Sequence, residues 1–167
     1  MEERYVVELL ETAEKVGISV WVGGGWGVDA LIGVQTRPHS DMDIYLEKRD
    51  AGRFVEILKA KGYAEVETEY TTESHTVWKT SAGRIVDLHL IEWKEEDAES
   101  LYFEGEAYPR HVLGGKGIIS GLAVQCFTPE AQLLFHQGYE HSEKDIHDVR
   151  ILCKTFGLDV PEEYIVG

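Results

Sequence analysis

The sequence predicts an α/β domain of the α+β kind, in which a mixed sheet carries flanking helices and a short C-terminal helical segment follows. Three observations carry that expectation. Apolar residues recur at helical spacing at the N-terminus, strand-like and helical runs then alternate, and the chain closes on two helical stretches with no strand between them. With 167 residues, 43% of them hydrophobic, there is enough chain for one substantial core and too little for two independent domains. Residues 1–127 are expected to form the main body, and 128–167 to be helices packed on it.

Each element has its own signal. Tyr5, Val6, Leu9, Leu10, Ala13 and Val16 share a helical face, and Gly17 supplies a stop. ISVWVG (18–23) reads as a buried strand, Gly25 to Gly33 as a short helix and DIYL (43–46) as a second strand. A helix over 50–61 turns Phe54, Ile57 and Leu58 inward and ends at Gly62. YAEVETEY, HTVWKT and RIVDLHLIEW read as three strands, the last two joined by SAG, a tight hairpin connection. LGGKGIISG (113–121) reads as a loop or turn, and LAVQCF as a last strand. Thr128 before Pro129 is a helix N-cap with proline at N1, opening helices over Glu130–Gly138 and Glu143–Phe156.

Composition narrows the function. The net charge of −15, with no cluster of Lys or Arg, excludes a phosphate-backbone binder and so a nucleic-acid partner. Acid concentrates at 65–73 (Glu65, Glu67, Glu69, Glu73) and at 92–106 (Glu92, Glu95, Glu96, Asp97, Glu99, Glu104, Glu106). Such runs read either as solvated surface or as a field that draws in a cationic small molecule. No stretch approaches the roughly 18 apolar residues of a membrane span, and the N-terminus is charged rather than signal-like, so a cytoplasmic location without membrane contact is expected. Cys126 and Cys153 form no CxxC pair and suit buried, reduced thiols.

The chemistry begins in WVGGGWGVD (21–29). Glycines leaving a strand and opening a helix let backbone approach a ligand, while free N–H groups point at an anion, phosphate above all; a tight turn without a ligand is the other reading. Asp-Met-Asp follows at 41–43. In extended chain Asp41 and Asp43 point the same way and Met42 the other, so two carboxylates share a face as oxygen ligands suited to Mg²⁺, or else mark a solvated strand end. In RIVDLHLIEW the alternation sets Asp87, His89 and Ile91 on one face and Val86, Leu88 and Leu90 on the other. Were this strand to lie beside the one carrying Asp43, three carboxylates would meet near the glycine turn, holding metal at a triphosphate with one left to take a proton from an attacking hydroxyl.

Other residues are read without a ligand or with alternatives. His136, His141 and His147 are spaced by five and six, which does not stack them on a helix face as zinc ligands. Trp26 packs at the base of the glycine turn or walls the pocket, and Asp29 lies early in the short helix, where the dipole favours a carboxylate. Asp145 and Asp148, three apart, share a helix face that either meets a polyhydroxylated or amine-bearing acceptor or is solvated.

Taken together, V-G-G-G-W-G, the fifteen residues between Gly25 and Asp41, D-M-D and the later V-D-L-H resemble the polymerase-β-type nucleotidyltransferase superfamily. Within it the chain is most similar to the small antibiotic nucleotidyltransferases that modify lincosamides and aminoglycosides, the lincosamide type especially. The motifs are GGWG-VD at Gly24–Asp29, Arg37 with His39, EAQLLFHQGY at Glu130–Tyr139 and the Asp-rich helix at Asp145–Asp148. The resemblance spans roughly residues 5–155 and implies the nucleotidyltransferase fold, with 1–127 as its catalytic domain. It implies that Gly24 and Gly25 contact the nucleotide phosphates, that Arg37 and His39 lie near the triphosphate, and that Asp41 and Asp43 bind Mg²⁺. Asp87 takes the third carboxylate position as metal ligand or general base, and His136 and Tyr139 line the acceptor pocket. The implied reaction is transfer of AMP or another NMP from ATP or another NTP to a small-molecule hydroxyl, with release of pyrophosphate and with a homodimer expected. Residues 92–119, where acceptor contacts are expected, carry no matching motif. Two alternatives stand beside this reading: an antitoxin-like or regulatory module on the same scaffold, and a protein-modifying (AMPylating) enzyme.

Overall fold

The computed structural model describes residues 1–93 and 100–165. Glu95, Glu96, Asp97 and Glu99 of the second acidic run, and positions 166–167, lie outside the described residues. In chain order the elements are α1 (Glu3–Lys15), β1 (Val20–Val22), α2 (Gly24–Ile32), β2 (Asp43–Glu47), α3 (Ala51–Ala60), β3 (Tyr63–Val66), β4 (His75–Thr80) and β5 (Ile85–Trp93). The hairpin β6 (Ser100–Phe103) and β7 (Glu106–Pro109) follows, then β8 (Gly115–Ile119), β9 (Leu122–Cys126), α4 (Pro129–Phe135) and α5 (Glu143–Phe156).

One mixed sheet runs β3-β4-β5-β2-β1-β9-β8, with β6 added to the far part of β5 and β7 to β6. The pairs β2–β5 and β1–β9 are parallel and the others antiparallel. Strand alternation sends Ile44 and Leu46 of β2, and Val86 and Leu88 of β5, into a core shared with Val6 and Leu9 of α1 and with Phe54 and Leu58 of α3. Met42 is fully buried in that same layer. The opposite sheet face packs Trp21, Tyr45, Ile91, Leu101, Phe103 and Phe127 into a second core near α4. Val149 and Cys153 of α5 close a third cluster against Tyr164.

Helix ends follow their signals. Thr128 Oγ1 accepts from the Ala131 N–H with Pro129 at N1, and Ser142 forms a reciprocal capping box with Asp145. Both cysteines are free and buried, and burial pushes the Cys126 thiol up to about 12. Among the described residues no helix is long and apolar enough to cross a membrane.

Several expectations are corrected. LGGKGIISG is not simply a loop: Gly115–Ile119 is strand β8, paired with β9. Its glycines mark close approach of backbone, since a Cβ on Gly117 would overlap the backbone of Ala30 in α2. YAEVETEY is strand only to Val66, because a Thr68–Thr71 turn, with the Thr68 N–H donating to Thr71 Oγ1, ends it. Helix α4 stops at Phe135 rather than Gly138. The β6–β7 hairpin was unforeseen. It turns at Glu104 and Gly105, both left-handed (φ 49° and 83°), as a two-residue hairpin turn requires.

The tight seat of Gly117 yields a stability test. Gly117→Ala should lower the urea-unfolding free energy by about 2 kcal/mol or more, through overpacking against backbone that cannot move aside. Gly52→Ala, in helix α3 with open space around its Cβ, should leave it unchanged or raise it by up to about 1 kcal/mol. Equal effects at the two positions would contradict this account of β8.

Candidate active site

The parallel register of β2 and β5 sets Asp43 directly opposite Asp87 at the end of the sheet nearest the glycine turn. Asp41 lies just before β2, and the backbone stays laced to β5 there, since the Met42 N–H donates to Ile85 O and the Asp87 N–H to Met42 O. Burial raises the Asp41 carboxyl above its usual range, and the nearby Asp43 and Asp87 charges add to the shift, partly offset by Ser40 and Lys144. Three carboxylates expected from sequence are therefore brought together. Their mutual repulsion and all-oxygen chemistry fit a hard divalent cation such as Mg²⁺.

The glycine turn is built against this acid cluster. The Gly23 N–H donates to Asp43 O, and Gly23, at the N-cap of α2, has no side chain to cap the first amides of the helix. Gly24 has a left-handed φ of 52°, and a Cβ there would overlap Asp43 Oδ2. A Cβ on Gly25 would run into the Arg37 guanidinium and the His39 ring. Gly24, Gly25, Arg37, Asp41 and Asp43 line one cleft of about 290 Å³. Uncapped helix amides plus a guanidinium make this cleft suited to a phosphate anion.

The loop between α2 and β2 is held by buried polar contacts. Asp29 is buried, not merely placed near a helix start: it accepts from the Thr36 N–H and Oγ1 (3.0 and 2.6 Å) and from His39 Nε2 (2.5 Å). His39 therefore faces Gly25 with Nδ1 while its ring lies against Trp26, which packs in the core. Arg37 donates twice to Asp148 of α5, Nε to Oδ1 at 2.7 Å and a terminal nitrogen to Oδ2 at 2.5 Å.

The four residues proposed to meet an acceptor part company here. His136, Tyr139 and Asp145 line the cleft, with the Tyr139 hydroxyl donating to Asp145. Asp148 does not: it is fully buried behind Arg37, so neither a solvated surface nor direct acceptor contact describes it. Burial favours its neutral form, but hydrogen bonds from Arg37 and His136 win and hold the carboxyl below the usual range. The second cavity of note, about 760 Å³ along the outer face of α5, lies away from the carboxylates.

The sequence reading missed several lining groups. Ser40 donates to Asp41, and Lys144, exposed in the first turn of α5, adds a cation to the cleft. Gln132, buried with neither polar side-chain atom partnered among the described residues, backs it. His75, the first residue of β4, lies beside Asp87, and Glu104 of the hairpin turn reaches both His75 and His89. His75 had a sequence signal, since pairing HTVWKT with RIVDLHLIEW across SAG places it opposite His89.

A family profile described as aminoglycoside-2''-adenylyltransferase matches residues 5–152. The chain belongs to this family. A lincosamide resistance protein of Staphylococcus haemolyticus is 28% identical over 160 residues, covering 90% of this chain and 93% of that protein. A 2''-aminoglycoside nucleotidyltransferase of Escherichia coli is 25% identical over 166 residues, covering 93% and 88%. The crystal structure of the lincosamide antibiotic adenylyltransferase LnuA, lincomycin-bound, superposes with a TM-score of 0.77 at 28% identity over 91% of this chain and 96% of that one. The adenylyltransferase family thus bears out the resemblance, the mixed-sheet fold and the enzyme class read from the sequence.

The Arg37–Asp148 pair ties α5 to the glycine turn. Asp148→Asn should cost about 3 kcal/mol of stability at pH 7, because it leaves a half-buried guanidinium without its counter-charge. A folded carboxyl held low contributes stability above its unfolded value of about 3.9, lost as pH falls toward the folded value. The variant should accordingly show a flatter decline below about pH 5 in pH-resolved urea unfolding. An unchanged acid profile would contradict the pairing.

Proposed function

We propose that the chain transfers a nucleoside monophosphate, with AMP the expected group, from a nucleoside triphosphate to a hydroxyl of a lincosamide or aminoglycoside antibiotic. Pyrophosphate leaves, and Mg²⁺ is required. The observation that carries this reading is the register that sets Asp43 opposite Asp87, with Asp41 alongside and the glycine turn immediately above. Relatives named for lincosamide and for 2''-aminoglycoside chemistry support the acceptor class.

Each residue has a role in that reading. The amides at Gly24 and Gly25, with Arg37 held by Asp148 and His39 held by Asp29, bind and orient the triphosphate. Asp41, Asp43 and Asp87 would hold a magnesium ion, which would supply neutralisation of charge on the phosphate oxygens. Asp87 also orients the acceptor hydroxyl or takes its proton as the oxygen attacks the α-phosphorus and the bond to the β-phosphate breaks. His136, Tyr139 and Asp145, lining the same cleft as Asp41 and Asp43, contact the acceptor. The acting unit is the whole chain, residues 1–127 supplying the catalytic layer and the C-terminal helices completing the cleft.

A pyrophosphate-release screen of lincosamides and aminoglycosides, run with each of four nucleoside triphosphates and Mg²⁺, tests this. Release should require both an antibiotic and the metal, and a chelator should stop it. Asp43→Asn should lower turnover by roughly 10³-fold or more while leaving the circular dichroism spectrum unchanged, since several kcal/mol of transition-state stabilisation go with one metal-holding carboxylate. Near-normal turnover in that variant, or release indifferent to every acceptor, would overturn the proposal.

A further inference from the structure

Beside the carboxylates lies a feature that no step above uses. Four rings form a column across the sheet face: Tyr45 stacks on His89 (centroids 4.4 Å apart, 10° between planes), His89 on His75 (4.1 Å, 27°) and His75 on Tyr70 (5.3 Å, 29°). Three adjacent strands supply the first three rings, because Tyr45 of β2 pairs with His89 of β5, which pairs with His75 of β4. One step along the same face lie Asp43 and Asp87.

Each imidazole makes the same diagonal contact one strand apart. His89 Nε2 donates to Asp43 Oδ1 at 3.2 Å, and His75 Nε2 donates to Asp87 Oδ1 at 3.2 Å. The stacking holds the ring planes, so each donor is aimed rather than merely near. A consequence is visible at Asp43, whose Oδ1 is engaged by His89 while Oδ2 is turned to the side of Gly24. Stacking alone does not explain the residue type, because phenylalanine would stack as well and would spare the buried His89 Nδ1, which has no hydrogen-bond partner among the described residues.

A separate metal site built from the same pair does not fit. His75, His89 and Glu104 do each offer a ligand atom, and these lie within 4.8 Å of one another, with Glu104 Oε1 3.7 Å from His75 Nδ1 and 3.9 Å from His89 Nδ1. Nitrogen lone pairs lie in the ring planes, however, and face-to-face rings send them side by side instead of converging on one point.

We propose that His75 and His89 are positioning residues, each fixing one oxygen of a metal-holding carboxylate so that the other is presented to the nucleotide side. The proposal rests on the reading of Asp43 and Asp87 as magnesium ligands. Outer groups that orient metal ligands typically change metal affinity or activity about 10- to 100-fold when removed.

The test separates ring from donor. His75→Phe and His89→Phe keep a stacking ring and lose the N–H, whereas His75→Gln and His89→Gln lose the ring and keep an amide N–H at the reach of Nε2. Mn²⁺ affinity is read by electron paramagnetic resonance on the full chain with a non-hydrolysable ATP analogue, alongside kcat and KM. The phenylalanine variants should bind Mn²⁺ roughly 10-fold or more weakly, with the loss falling on kcat and not on the antibiotic KM, and the glutamine variants should recover most of the affinity. Phenylalanine variants within about twofold of the wild type in Mn²⁺ affinity would overturn the assignment of the histidines while leaving the carboxylate reading intact. Failure of the wild-type chain itself to bind Mn²⁺ would overturn both. Should His89→Phe not fold, as a melting curve would show, the less buried His75 pair decides.

Discussion

Everything at the candidate site depends on β2 and β5 lying side by side in parallel, with Asp43 opposite Asp87. Neighbouring strands are roughly 4.8 Å apart, so two carboxylates on one rung meet at a distance where their charges repel unless something positive lies between them. The rest of the same two strands shows why the register is fixed. Ile44, Leu46, Val86 and Leu88 fill the core on the opposite face, and slipping either strand by one residue would exchange buried aliphatic side chains for acids. The energy that defines the core thus holds the carboxylates against one another.

A second set of contacts ties distant parts of the chain to that rung. The backbone of Gly23 is bonded to Asp43, Asp29 holds His39, and Asp148 holds Arg37. The last of these spans more than a hundred residues and makes α5 a supporting element of the cleft, where Lys144 from its first turn joins the lining. Cationic and anionic groups consequently share one cleft: the Arg37 guanidinium, the Lys144 ammonium and the amides that open α2 stand with the carboxylates of Asp41, Asp43 and Asp145. Such a mixed lining suits a ligand that is itself an anion carrying a hard cation.

Much of this was legible in the sequence because it is written in short-range rules. Period-two alternation placed Asp87 with His89 and Met42 opposite Asp41 and Asp43, and the Thr-Pro signal located the start of α4 to the residue. What escaped depends on partners far away in the chain. Gly115 and Gly117 look like loop residues until α2 is laid on β8, where only glycine lets the backbones approach. Asp148 looks like a surface acid on a polar helix until Arg37 arrives beneath it, and Asp29 looks like a helix-dipole residue until the loop carrying Thr36 and His39 folds back over it. The β6–β7 hairpin hid for a different reason: its turn uses Glu104 in a left-handed conformation, and an acidic run obscured the short apolar alternation on either side.

The proposed activity requires that Asp41, Asp43 and Asp87 share one divalent cation beside the glycine turn. A crystal grown with Mn²⁺ and a non-hydrolysable ATP analogue, measured for anomalous scattering, tests it most directly. A peak at about 2.1 Å from carboxylate oxygens of Asp41 and Asp43, with Asp87 facing it and the phosphates completing its shell, is the expected result. Bound nucleotide with no peak among these three side chains, or a peak held elsewhere on the chain, would contradict the account.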